Sequence, residues 1–270
     1  MDDLELARTA QRAGMRAIVL KAHEGSTAER AWLVGRQIVG LEVLGGVVLN
    51  RFVGGLNPHA VEVCFGLGGR VVWMPTLHAE NHIRYYGRPG FSEQASRLDE
   101  GRVLQPVAVL DEAGRLLPEA GEVLEVVAAH DGVLSNGHLS AQETAILFTE
   151  ARRLGVRRLV VAHPELPLMG YSLEFQLEMA QMGAYIERCY LPHLPGWGGF
   201  PLERTAREIQ AIGPERCILS TDLGQLENPP PPKGLGTFCR GLHQAGLCEA
   251  AIHAMVRANP ASLLGLDTLE

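Results

Sequence analysis

Seven apolar runs of this sequence end on side chains that can do chemistry. Lys21 and His23 close the first, Asn50 and Arg51 the second, His78 the third and His138 the fourth. His163 closes the fifth, Glu187 the sixth and Asp222 the seventh. Of these, His138, His163 and Asp222 form the strongest set. Neutral imidazoles with a carboxylate suit borderline divalent cations such as Zn²⁺, Mn²⁺ or Fe²⁺, and a three-ligand site keeps a position open for water. A bound ion would bring the pKa of that water towards neutrality, and Asp222 would both touch the ion and accept the proton, which is metal-assisted hydrolysis. Taken singly, a histidine after a strand is more often a hydrogen-bonded structural residue. The shared placement is what points to a site.

His78 stands in PTLHAENH with Glu80 and His82. It is a further candidate ligand, while Glu80 and His82 are candidate substrate contacts; the alternative for all three is a polar loop. Lys21 follows a buried run, where an unpaired ammonium is costly, so it either enters a cavity as a catalytic group or pairs with an acid such as Glu187. His23 lies two residues on and points the same way by strand alternation. Glu187 reads equally as a substrate contact or as the partner of Arg188 or another base. His59, His130, His193, His243 and His253 fall on helices or surface loops, with His193 in PHLPGWGG the one to re-examine.

The elements that must position these groups alternate in kind, with strand-length apolar runs separated by segments of helical period, the pattern of a parallel sheet with crossover helices. The runs are Ala17–His23, Leu44–Arg51, Val71–His78, Gly132–His138, Arg158–His163, Ala184–Cys189 and Cys217–Asp222. Helices are expected before Gly14 and over Thr27–Ile38, Pro58–Leu67, Ala141–Leu154, Leu173–Met182 and Leu202–Ile212, several entered through Asn57, Ser140, Ser172 or Pro201. Residues 81–131 read as an insertion: an aromatic, glycine-rich YYGRPGF loop suited to a lid, then a hairpin turning at Glu112–Gly114. Pro229–Pro232 reads as a stiff stretch inside a strand-to-helix loop.

The 270 residues, 46% hydrophobic and 20% charged, suit one domain over 1–270. A net charge of −7 with scattered Lys and Arg gives no footprint for nucleic acid, which disfavours a nuclease. Five cysteines without a CxxC pair suit reduced thiols in the cytoplasm. The acidic start MDDLELARTAQRAG lacks a signal-peptide layout, and no apolar run reaches membrane-spanning length. The expected partner is a small-molecule substrate.

The segments LKxH, NGHLS, VAHPE and STDLGQ, with the closing NPASLLGL, resemble the amidohydrolase superfamily of metal-dependent hydrolases over almost the whole chain. The resemblance implies a (β/α)8 TIM-type barrel whose fifth-strand His, sixth-strand His and eighth-strand Asp are His138, His163 and Asp222. The superfamily's opening-strand HxH pair is absent, so the chain is expected to start at the helix after strand one. His78 stands where a bridging carboxylated lysine or Glu often sits, which points to one ion rather than two. Open strand edges would favour self-association. The function implied is metal-activated hydrolysis of an amide, ester or phosphoester; the alternative is a barrel that binds a ligand or serves as a scaffold.

Overall fold

The computed structural model describes residues 1–90 and 105–266. In chain order the strands are β1 (Ala17–Val19), β2 (Glu42–Leu44), β3 (Gly46–Val48), β4 (Val71–Trp73), β5 (Val133–Ser135), β6 (Arg158–Ala162), β7 (Tyr185–Cys189) and β8 (Cys217–Ser220). The helices are α1 (Asp3–Arg12), α2 (Ala28–Gly35), α3 (Pro58–Gly66), α4 (Glu80–Tyr86), α5 (Pro118–Ala129) and α6 (Ala141–Arg153). They continue with α7 (Leu173–Gln181), α8 (Leu202–Ile212), α9 (Pro231–Gln244), α10 (Glu249–His253) and α11 (Asn259–Leu264), a π turn over Ala254–Ala258 lying between the last two. The expected α/β class holds. The chain forms two compact units: one of Met1–Ile18, Val34–Glu42 and Val160–Glu270, the other of Val19–Leu33 and Val43–Leu159.

In the second unit β3, β4 and β5 pair in parallel in that order, with Val48 opposite Trp73 and Trp73 opposite Ser135. This register brings the carboxyl ends of the three strands level. The run expected as one strand over Leu44–Arg51 is broken at Gly45. A side chain there would collide with the backbone of Thr27 and Ala28. Thr27 docks into the break instead, its hydroxyl donating to Leu20 O (2.7 Å) and accepting from Gly46 N (2.9 Å).

The stretch expected as an insertion holds two helices that sequence reading left out, α4 and α5. In α5 Ala120, Val123, Leu124 and Val127 are all buried, an i, i+3, i+4, i+7 stripe led by Pro118 in the first turn, so it is the crossover between β4 and β5. The hairpin is present. Leu110 bridges Leu116, and Asp111 Oδ1 accepts from Ala113 N and Arg115 N, both at 2.9 Å, around the expected turn. Phe91 of the YYGRPGF segment, and 92–104 with it, lie outside the described residues.

In the first unit β6, β7 and β8 pair in parallel, with Ala162 opposite Glu187 and Cys189 opposite Ser220. Alternation puts Glu187 and Cys189 on one face of β7 and Arg188 on the other. Arg188 is fully buried and bound to Glu165 (2.7 Å) and to Glu208 of α8 (3.0 Å). The closing NPASLLGL segment has a physical role. Asn259 Nδ2 donates to Pro214 O (2.8 Å) and Cys217 O (2.7 Å), tying α11 to the start of β8.

Candidate functional site

In the second unit the level strand ends gather His23, Asn50, Thr76, His78, His82 and His138. Asn50, fully buried after β3, is the hub. Its Oδ1 accepts from Thr76 N (2.9 Å) and His78 N (3.2 Å), and its Nδ2 donates to His23 O (3.0 Å) and Thr76 Oγ1 (2.8 Å). Thr76 Oγ1, which accepts from Asn50, also lies within hydrogen-bond distance of His23 Nδ1, at 2.8 Å. The sequence marks Asn50 only as a group ending the second apolar run and does not mark Thr76; a buried Asn in that place is the signal of a satisfied polar hub.

His78 is buried, with its ring edge-on to Phe52 at 4.9 Å and its carbonyl accepting from Val107 N (2.7 Å). Glu80, by contrast, is exposed at the start of α4. Lys21 is half-buried, its Nζ 5.8 Å from the centroid of the Trp73 ring, within cation–π range. His138 follows Gly137, whose φ of +58° and close approach to Met74 O and Pro75 O exclude any side chain. The turn lets His138 N donate to Pro75 O (2.9 Å). His82, from α4, is buried against His138 with Nδ1 to Nδ1 at 2.9 Å and ring centroids 5.0 Å apart. Burial pushes the His82 pKa down to about 4, so the ring stays neutral at pH 7.

In the first unit the candidates are His163, Glu187 and Asp222. His163, directly after β6, is buried and has φ +34°, its N–H donating to Glu187 O (3.0 Å) and its carbonyl accepting from Leu166 N (3.0 Å). Asp222, two residues past β8, has φ +52°. Among the described residues the only other non-glycine with positive φ is Asp131. The buried Cys189 thiol is raised well above its ordinary pKa by desolvation first, then by the negative fields of Glu187 and Asp222, which therefore neighbour it. Arg188 turns to Glu165 and Glu208, on the opposite face from Glu187. His193 is structural: its Nδ1 donates to Phe200 O (2.7 Å), its ring packs on Phe238 and Tyr190, and burial lowers its pKa.

The donor types suit a divalent cation, but among the described residues no three His, Cys, Asp or Glu are gathered so as to hold one. In this arrangement the donor set does not fit a complete metal cradle, and no catalytic step is drawn through an ion. No described helix is long and apolar enough to cross a membrane.

Solved structures share this fold. An amidohydrolase from Pseudomonas aeruginosa aligns with a TM-score of 0.68 and 12% identity, covering 98% of this chain and 92% of that one. A phosphotriesterase homology protein from Escherichia coli, complexed with phosphate in its active site, gives 0.53 and 16%, over 96% and 87%. The 2,6-dihydroxybenzoate decarboxylase from Rhizobium gives 0.55 and 14%, over 99% and 89%. At these identities the likeness establishes the fold alone, an α/β architecture shared with these enzymes. No functionally curated protein matches the chain by sequence. A family model described as a family of unknown function (DUF6282) matches residues 1–187, which includes His163 and Glu187 and stops short of Asp222. Because that match spans more than half of the sequence, the chain belongs to the DUF6282 family.

Proposed function

We propose that the chain is a hydrolase of the amidohydrolase kind, directing an activated water at an amide, ester or phosphoester bond of a small molecule. The observation that carries this reading is the backbone at His163 and Asp222. Both have positive φ, His163 directly after β6 and Asp222 two residues past β8. A non-glycine residue is held there at a cost of about 1–3 kcal/mol only where surrounding structure enforces it, and such positions concentrate at functional sites.

In this reading the Asp222 carboxylate accepts the proton of the attacking water, and Glu187, whose field reaches the same buried Cys189 in the first unit, accepts from a substrate donor. These roles are drawn without a metal ion.

The test is a panel of small esters, amides and phosphoesters, assayed with and without added Zn²⁺, Mn²⁺ or Fe²⁺. Turnover of one class is expected, lost by about 100-fold or more in Asp222→Asn. No turnover in any condition, with retained small-molecule binding, would favour the ligand-binding alternative.

A further inference from the structure

We infer that Glu165, anchored on Arg188, is the positioning residue of the turn that carries His163, and that it holds His163 against Glu187 of β7. That this placement serves turnover rests on the hydrolase reading; the placement itself does not.

His163 is followed by Pro164. The residue before a proline favours extended backbone at φ about −120°, because the proline ring crowds its N–H and Cβ. His163 instead has φ +34°. A non-glycine residue stays at such an angle only where its surroundings enforce it. Two main-chain bonds contribute, from His163 N–H to Glu187 O and from Leu166 N–H to His163 O, each 3.0 Å. Leu166, Leu168 and Met169 bury themselves just beyond, but apolar burial is non-directional and selects no backbone angle.

Glu165 adds a directional restraint. Two residues after His163, its buried carboxylate reaches the fully buried Arg188, with Oε1 to Nη1 at 2.7 Å. Arg188 lies in β7 opposite Leu219 of β8, and the residue before it, Glu187, lies opposite Ala162 of β6. Consecutive residues of one doubly paired strand therefore grip both ends of 163–165, Glu187 by its carbonyl and Arg188 by its guanidinium. Arg188 Nη1 also meets Glu208 (3.0 Å), which Arg204 Nε binds at 3.0 Å. With Glu208 in place, Arg188 keeps a counter-ion when Glu165 is replaced. A buried ion pair is weak evidence of stabilisation, because apolar replacements often match it. What this pair supplies and an apolar contact does not is a fixed direction.

The experiment is amide hydrogen exchange followed by ¹H–¹⁵N NMR, read as protection factors, on wild type, Glu165→Leu and Glu165→Gln. A role confined to stability would lower protection along β6 and β7 as much as in the turn. Positioning lowers it further at His163 and Leu166 than along those strands, by about 10-fold or more in Glu165→Leu and about 3-fold in Glu165→Gln, whose amide oxygen still accepts from Arg188. A fall no larger at His163 and Leu166 than along β6 and β7 in folded Glu165→Leu would overturn the inference. Should Glu165→Leu fail to fold, the same comparison in Glu165→Gln decides. On any substrate that the wild type cleaves, Glu165→Leu should lose about 10-fold or more in kcat with KM within about 2-fold, and Glu165→Gln should recover most of the loss. An unchanged kcat beside altered exchange would overturn the catalytic half. Because exchange needs no turnover, failure of the hydrolase reading and failure of this inference are read separately.

Discussion

Replacing Asn50 by Ala tests whether the imidazole-bearing strand ends depend on one buried amide. The substitution removes four hydrogen bonds and leaves the main-chain N–H groups of Thr76 and His78 without their acceptor at buried positions. An unsatisfied buried donor costs about 1–3 kcal/mol, so the two together cost about 2–6 kcal/mol, before any loss from the donors to His23 and Thr76. That is a large share of the ~5–15 kcal/mol that stabilises a typical domain. Asn50→Asp separates the two halves of the hub: its carboxylate can still accept from both N–H groups but cannot donate to His23 O or Thr76 Oγ1. Thermal unfolding followed by circular dichroism should show Asn50→Ala melting about 5–20 °C below the wild type. The imidazole signal of His23 should also change, because Thr76 loses the donor that orients its hydroxyl. A melting temperature within about 1 °C of wild type, with an unchanged His23 spectrum, would refute the hub.

Gly137→Ala should destabilise by at least ~2 kcal/mol, from the left-handed backbone and the collision with Met74 O and Pro75 O, read as a lower urea midpoint; a neutral result would remove the constraint on His138. Arg188→Met leaves Glu165 and Glu208 without their buried counter-ion and should cost about 3–5 kcal/mol by urea unfolding, whereas a stable variant would show the triad to be dispensable. The depressed pKa of His82 gives a pH dependence whose sign is set by the unfolded chain, which binds the extra proton between its ordinary value near 6.5 and about 4. The contribution is therefore complete above pH ~6.5 and lost as pH falls through about 4, a difference of at most about 3 kcal/mol. His82→Gln should flatten that slope in urea melts at pH 7.5 and 5, and an unaltered slope would exclude His82 as its source.

The sequence carried the strands well because each apolar run is bounded by glycine or a polar end, and every run proved to contain one. It concealed the break in Leu44–Arg51, since nothing local announces that Thr27 will dock at Gly45. It also concealed α5, whose valine-rich stripe reads as strand by residue type, although its period and Pro118 signal a helix. For the site, strand-end placement identified His138, His163 and Asp222 as residues to watch, and the left-handed backbone at two of them is a signal that only coordinates carry. His82 reads from the sequence as a candidate substrate contact, since its ring partner His138 lies 56 residues away. Asn50 and Thr76 were overlooked as site residues for the same reason, their roles arising from contacts between strand ends.

The most direct measurement is the hydrolytic turnover of wild type and Asp222→Asn across esters, amides and phosphoesters, in matched series with chelator and with added Zn²⁺, Mn²⁺ or Fe²⁺. Wild type is expected to cleave at least one class, and Asp222→Asn, folded as judged by circular dichroism, to lose about 100-fold or more of that rate. Equal rates for the two proteins, or no cleavage by wild type under any of these conditions, would contradict the assignment of the chain as a hydrolase with Asp222 as its base.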